Sequence, residues 1–130
     1  MMRMSKYVWL VTRAIYEMIR YEVVIACSGA GSVLKQVSRQ STAMKRTNSE
    51  SQKMICDAVE LATCLHWKPV QCLQRSVCTV RLLRKYGIEA HLAIGYRPSP
   101  FFSHAWVEVD GRVVNGSQAY QTRLHLLHML

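Results

Sequence analysis

CLQRSVCTVRLLRKYG, residues 72–87, is the stretch that decides the fold. Its apolar residues recur at helical spacing, its last turn is basic, and Gly87 is the residue type that commonly follows a helix C-terminus. The stretch therefore predicts a helix from Cys72 to about Tyr86. Cys72 is expected in the first turn, where the partial positive charge of the helix end stabilises a thiolate.

The second informative motif is HAWVEVDG, residues 104–111. The motif alternates along its length, which predicts a strand that begins at about His104. Asp110 and Gly111 predict a tight turn, after which residues 112–115 return as the second strand of a hairpin. An imidazole close to a thiol can take its proton, and this is the arrangement that a cysteine nucleophile needs. The two motifs together indicate a catalytic pair of Cys72 and His104.

The rest of the chain predicts helices before this core and one further strand within it. Periodicity predicts the following elements: an amphipathic helix over about 5–27, a second helix over about 49–65, and a strand over 88–94 with His91 facing outward. A loop is expected between residues 95 and 103, and it carries Phe101 and Phe102. The polar, basic segment 35–53 is expected to be flexible or exposed. Helices followed by a small antiparallel sheet make an α+β domain.

Length and charge limit the classes of function. A chain of 130 residues, half of them apolar, predicts one domain, with a helical part at 1–66 and a core at 67–130. The net charge of +9 indicates an acidic partner or serves solubility alone. No nucleic-acid partner is expected, because aromatic residues do not interleave with the basic ones and no recognised motif is present. A weak peripheral membrane contact by the first helix stays open, although charged residues interrupt every apolar run and no span is predicted.

The cysteines favour a reducing compartment, and hence the cytoplasm. Five cysteines are an odd number, and no two of them form a Cys-x-x-Cys pair. The histidines do not fall at zinc-finger spacing with any cysteine pair, so no metal and no cofactor are predicted. Apart from Cys72, the cysteines are expected to be small buried hydrophobic residues: Cys27, Cys56, Cys64 and Cys78.

Three segments carry a resemblance to a known family: CLQRS at 72–76, YGI at 86–88 and HAWVEVDG at 104–111. They closely resemble the transglutaminase-like B proteins of lasso peptide biosynthesis, and the likeness covers residues 67–118. The resemblance implies a papain/transglutaminase-like cysteine protease core that removes the leader from a precursor peptide. It implies Cys72 as the nucleophile and His104 as the base. The chain looks like the split form of the family, which implies a separate small leader-recognition protein and a lasso cyclase as partners.

The third catalytic residue departs from the family pattern. Family members commonly carry an aspartate after the hairpin, where this chain has a glycine, in the order Val114-Asn115-Gly116. A two-residue turn would oppose Asn115 to Trp106 and place it on the face of His104, whereas a three-residue turn would set Gly116 opposite His104. Because an asparagine can orient an imidazole, we expect Asn115 to be the third member.

Further residues are expected around this pair. The Cys72 backbone N–H and the Gln71 side chain are expected to hold an oxyanion. Trp106 is either a core residue or a wall of the substrate groove, and Phe101 and Phe102 are expected to rim the cleft. Three alternatives remain: an inactive transglutaminase-like scaffold that recruits partners, a basic nucleic-acid-binding module, and a transamidase that uses an amine in place of water.

Overall fold

The computed structural model describes residues 2–42, 49–116 and 118–130. Helices and one antiparallel sheet confirm the predicted α+β class. In chain order the elements are α1 (Met2–Ser28), α2 (Ala30–Arg39), α3 (Ser49–Leu65), α4 (Cys72–Lys85), β1 (His91–Pro98), β2 (Phe101–Val109), β3 (Arg112–Val113), α5 (Ala119–Arg123) and β4 (His125–Met129). The strands lie in the order β3-β2-β1-β4.

Helix α1 buries one apolar stripe and exposes another. Leu10, Ala14 and Met18 recur every four residues and are buried in the main core, while α1 packs against α3 and α4. A second group of large side chains lies in solvent: Val8, Trp9, Tyr16, Ile19 and Val23. None of the described helices combines the length and the apolar character that crossing a membrane requires.

The prediction of a flexible or exposed segment at 35–53 is wrong for its first part. Helix α2 occupies residues 30–39 and buries Val33 and Val37, which are four residues apart. One such pair is enough to dock a short helix, but two valines among polar residues are too weak a signal in the sequence. Residues 43–48 of the segment lie outside the described residues, and α3 begins at Ser49 as predicted.

Helix α4 has the predicted start and ends one residue earlier than predicted. Its C-terminus forms a Schellman motif, in which the N–H groups of Gly87 and Ile88 donate to the carbonyls of Arg84 (3.1 Å) and Leu83 (3.0 Å). Gly87 has φ 85°, a conformation that glycine adopts without strain. The glycine therefore ends α4 and directs the chain into the sheet.

Strands β1 and β2 form a longer hairpin than the sequence predicts. They pair from His91 opposite Glu108 to Pro98 opposite Phe101, so only Ser99 and Pro100 connect them. The prediction that Phe101 and Phe102 lie in a loop is therefore wrong, because the prolines that indicate a loop stand at the strand ends. The β2–β3 connection is the predicted two-residue turn: Val109 pairs with Arg112 across it, and both turn residues have positive φ.

The two faces of the sheet have separate cores. Leu92, Ala105 and Val107 join the main core with the helices, whereas Ala93, Trp106 and Val113 form a second cluster. Gly95 lies beneath Trp106, and a Cβ there would come within 2.7 Å of the indole. The sequence did not predict α5 or β4; every residue of β4 is exposed, so its sequence carries no alternation to detect.

Candidate active site

Cys72 is the first residue of α4. Gln71 caps the helix with an extended backbone, at φ −78° and ψ 161°, and its carbonyl accepts the first helical bond from Arg75 N–H at 3.0 Å. The first N–H groups of a helix have no partner within the helix, so they are available to an anionic group beside the thiol. Cys72 is half-buried and packs against the main core.

Two side-chain hydrogen bonds fix the direction of α4 over the sheet. Near the helix C-terminus, Arg84 Nε donates to the carbonyl of Ala90 at 2.9 Å. Ala90 immediately precedes His91, which pairs with Glu108, so this contact lies level with the end of β2. Nearer the N-terminus, Ser76 Oγ donates to the carbonyl of Ala105 at 3.1 Å. Helix α4 therefore runs parallel to β2. Cys72 precedes Ser76 by one turn, about 6 Å, which corresponds to about two strand residues and brings it level with the start of β2.

His104 lies at this end of β2. The pleat places it on the side of Trp106, and its ring stacks on Phe102 with centroids 6.0 Å apart and planes at 11°. Burial and then the positive charge of Arg75 lower the pKa of His104 below its usual value. The imidazole is therefore neutral at pH 7 and able to accept a proton. The charge that acts on the imidazole thus comes from the first turn of α4, to which Arg75 belongs.

Asn115 joins α4 to β2. Its Oδ1 accepts a hydrogen bond from Val107 N–H at 2.8 Å, and its Nδ2 donates to Ser76 Oγ at 3.0 Å. The amide thus lies on the α4 side of β2, whereas the sequence predicted it on the face of His104. The prediction assumed that strand alternation continues to residue 115, but β3 ends at Val113 and the chain bends there. Gly116, the position at which the resemblance leads us to expect an aspartate, is exposed.

A cleft of about 550 Å³ lies beside the first turn of α4. It is lined by Tyr21, Glu22, Ile25, Ala30, Lys68, Pro69, Gln71, Leu73 and Gln74. Lys68 Nζ lies 2.8 Å from a Glu22 carboxylate oxygen; although burial raises the pKa of Glu22, the hydrogen bond and charge of Lys68 outweigh it and lower that pKa. Burial raises the pKa of Tyr21, and the negative charge of the neighbouring Glu22 carboxylate raises it further. Gln71 is exposed at the mouth of this cleft.

The aromatic residues expected around the groove have different exposures. Trp106 is only 2% exposed, and its indole Nε1 donates to a Glu108 carboxylate oxygen at 2.8 Å. Phe101 and Phe102 are 75% and 42% exposed, and Arg97 lies over the ring of Phe102. The two phenylalanines are thus accessible near His104, whereas Trp106 fills the core of the second face.

The other cysteines differ in environment, and all five are free thiols. Cys78 is buried as predicted, and burial raises its pKa. Cys56 is half-buried, and burial raises its pKa to about 11. The prediction of buried residues is wrong for Cys27 and Cys64, which are exposed because their helix positions face outward. Within the described ranges, no three His, Cys, Asp or Glu side chains are grouped to hold a metal ion.

Comparison with known proteins tests the resemblance. The model of a family described as the transglutaminase-like superfamily matches residues 17–128. The chain belongs to the transglutaminase-like superfamily. It is also 43% identical over 56 residues to the microcin J25-processing protein McjB of Escherichia coli, a match that covers 43% of this chain and 27% of McjB. The chain thus spans well under half of that relative. No solved structure matches it.

The sequence did not single out Ser76 or Arg75. Ser76 is buried and joins α4, β2 and Asn115, and Arg75 bonds to Glu60 at 3.1 Å while acting on His104. Ser76 follows Cys72 by one helical turn and therefore shares its helix face. A small polar residue on the buried face of an apolar helix was the signal in the sequence that could have indicated Ser76. The effect of Arg75 depends on tertiary distance, which the sequence does not carry.

Proposed function

We propose that this chain is a cysteine peptidase that removes the leader from a lasso peptide precursor. The observation that carries the proposal is the first turn of α4, which places Cys72 at a helix N-terminus and is fastened by Ser76 beside the His104 end of β2. Membership of the transglutaminase-like superfamily and the likeness to a microcin-processing protein support it. The odd number of free thiols supports a reducing compartment such as the cytoplasm.

The reaction proceeds in two steps. The Cys72 thiol gives its proton to His104, and the thiolate attacks the carbonyl at the junction of leader and core. The peptide C–N bond breaks, the imidazolium protonates the leaving amine, and a thioester remains. His104 then takes a proton from water, whose oxygen attacks the thioester and releases the thiol. Backbone N–H groups at the start of α4, with the Gln71 amide, hold the oxyanion.

Asn115 completes the site by holding α4 against β2. Its two bonds, to Ser76 and to the Val107 N–H, support a role in fixing the start of α4, and with it the thiol, relative to β2. This role takes the place of the family aspartate at Gly116. The precursor peptide is the proposed substrate, and a separate leader-recognition protein and a lasso cyclase are proposed partners.

The proposal is tested by mass spectrometry of a reconstituted reaction. The purified chain is incubated with a lasso precursor peptide, with and without a candidate leader-recognition protein. A leader peptidase gives two fragments whose masses sum to that of the precursor plus one water. A product that carries an added amine would identify a transamidase, and an intact precursor in the presence of the partner would contradict the proposal.

Thiol alkylation separates an active site from an inactive scaffold. At pH 7 we expect iodoacetamide to modify Cys72 about tenfold faster than the exposed Cys27 and Cys64, since in the proposed pair His104 takes the proton of the thiol. Cys56 and Cys78 should react slowest, because burial raises the pKa of both. Peptide mapping of the alkylated sites measures all five rates in one sample. Equal rates at Cys72, Cys27 and Cys64 would favour the scaffold.

Arg75→Gln is expected to move the titration of His104 to higher pH. Removal of the guanidinium removes one of the two causes that lower the pKa of His104, while burial remains. A neutral imidazole is needed to accept the thiol proton. Because the His104 pKa is higher in the variant, its imidazole becomes protonated at a higher pH, and on acidification the variant loses activity before the wild type does. Lys85→Gln makes the same charge change at the exposed far end of α4. An NMR titration of the His104 ring that is identical in both variants would contradict the assignment.

A further inference from the structure

Strand β4 is an exposed edge of the sheet. No strand lies beyond it among residues 2–42, 49–116 and 118–130, and all five of its residues are exposed. Leu126, Leu127 and Met129 are 55%, 56% and 44% exposed, and β4 has neither lysine nor carboxylate. Natural edge strands usually carry charge or proline that prevents another strand from pairing with them. The pairing of β4 with β1 shifts register between Ile94 and Gly95, and on the C-terminal side of this shift Met129 pairs regularly with Ala93. This apolar end of the edge is suited to pairing with a further strand.

The register of β4 shows which backbone groups face outward. Leu92 and Leu130 exchange both of their hydrogen bonds, at 2.9 and 2.8 Å, so they form a hydrogen-bonded pair. In an antiparallel ladder the next pair is not hydrogen-bonded, and that pair is Ala93 with Met129. The N–H and the carbonyl of Met129 therefore point away from β1. They are placed to bond to a strand added at this edge.

A small pocket lies next to the same edge. It has a volume of about 210 Å³ and is lined by Gly31, Leu34, Lys35, Ser38, His128 and Leu130. Small-molecule sites usually exceed about 300 Å³, so the pocket is better matched to one aliphatic side chain. Strand addition takes its affinity from backbone bonds and its specificity from such pockets. The pocket shares no lining residue with the cleft beside Cys72.

The charge around the edge is basic. The three elements at or near it, α2, α5 and β4, contain Lys35, Arg39 and Arg123 and no aspartate or glutamate. An approaching strand with acidic side chains is therefore attracted, and a basic one is repelled.

We propose that β4 binds an extended peptide as a fifth strand of the sheet. The peptide alternates apolar and acidic side chains; its backbone pairs with Met129, and one of its aliphatic side chains enters the pocket beside Leu34. The site is distinct from the Cys72 cleft and does not depend on the proposed peptidase activity. A second copy of this chain is the competing occupant.

The test uses a fluorescein-labelled twelve-residue peptide that alternates valine or leucine with aspartate or glutamate. Fluorescence anisotropy should show saturable binding to the wild-type chain. The same peptide N-methylated at alternate residues keeps its side chains but loses the N–H groups that pair with an edge, and it should bind at least about tenfold more weakly. A version with lysine at the acidic positions should bind more weakly as well. Absence of saturable binding by the acidic peptide overturns the proposal.

Two matched pairs of variants locate the site. Met129→Pro removes the outward N–H without removing a bond to β1, and it should weaken binding at least about tenfold, while Met129→Ala should bind like the wild type. Lys35→Glu should weaken binding of the acidic peptide, whereas Lys53→Glu, the same change on α3, should not. Unchanged binding by a folded Met129→Pro variant overturns the proposal.

A second measurement needs no variant. Hydrogen exchange of the wild-type chain should show that the acidic peptide slows exchange at the Met129 N–H. Unchanged exchange at saturation overturns the proposal. Sedimentation over a range of concentrations tests the competing occupant. A dimer that Met129→Pro abolishes and the acidic peptide does not dissociate would assign the edge to a second copy and overturn the proposal.

Discussion

The Cys72→Ala variant is expected to lose leader removal by about ten-thousand-fold or more. The thiol is the group that forms the covalent bond to the peptide, and alanine leaves the start of α4 without a nucleophile. Because Cys72 is only half-buried at the end of a helix, the loss of its sulfur should change the melting temperature little. Mass spectrometry of the reconstituted reaction measures the rate, and circular dichroism measures the melting temperature.

Cys64→Ala is the matched control for this prediction. Cys64 is exposed at the end of α3, so the same chemical change there should leave the cleavage rate unchanged. His104→Ala should lower the rate in the same way as Cys72→Ala, since either change alone disables the pair. Cleavage by Cys72→Ala at the wild-type rate would show that the reaction uses another nucleophile.

Replacement of Arg84 is expected to have the largest effect on stability. Its guanidinium donates to the carbonyls of Ala90 at 2.9 Å, Val37 at 2.5 Å, Gln40 at 3.4 Å and Leu130 at 2.9 Å. Arg84 thereby joins α4 to the end of α2, to the entry of β1 and to the residue after β4. Burial and then the charge of Arg81 lower the pKa of Arg84. The four carbonyls compensate much of the cost of burying the charge.

We expect Arg84→Met to lower the free energy of unfolding by about 3 kcal/mol or more, because buried carbonyls lose charged partners and each unsatisfied group costs about 1–3 kcal/mol. Arg84→Lys should recover little of this, since an ammonium cannot reproduce the planar fork of a guanidinium. Urea denaturation measures the change. Lys85→Met, at the exposed neighbouring position, should shift the midpoint little, and an equal shift in both variants would contradict the assignment.

The sequence predicts those parts of the fold in which periodicity and a capping residue agree. Helix α4 combines apolar spacing with Gly87, and α3 begins and ends where its apolar side does, so both were located closely. Strand β4 was missed because none of its residues is buried, and no alternation marks it. Helix α2 was missed because a single pair of buried valines docks it. Whether segments such as α2 and β4 form depends on packing against elements that are distant in the sequence, and a local sequence pattern does not contain that information.

The candidate site divides in the same way. A thiol at a predicted helix start and an imidazole at a predicted strand start selected Cys72 and His104 as candidates from local signals; α4 does begin at Cys72, whereas β2 begins three residues before His104. Asn115 was selected by assuming a regular strand, but the bend after Val113 turns its amide toward Ser76. The contributions of Ser76 and Arg75 depend on contacts between elements that are distant in the sequence.

The bonds from Ser76 also bear on when the site can form during folding. They join residues that are 29 and 39 positions apart, to Ala105 and to Asn115. Long loops must close before such bonds can exist, so local helix formation alone does not assemble them. A nascent chain that has formed α4, but whose Asn115 has not yet emerged from the ribosome, therefore lacks the hydrogen bond between Asn115 and Ser76 that fixes α4 near the thiol.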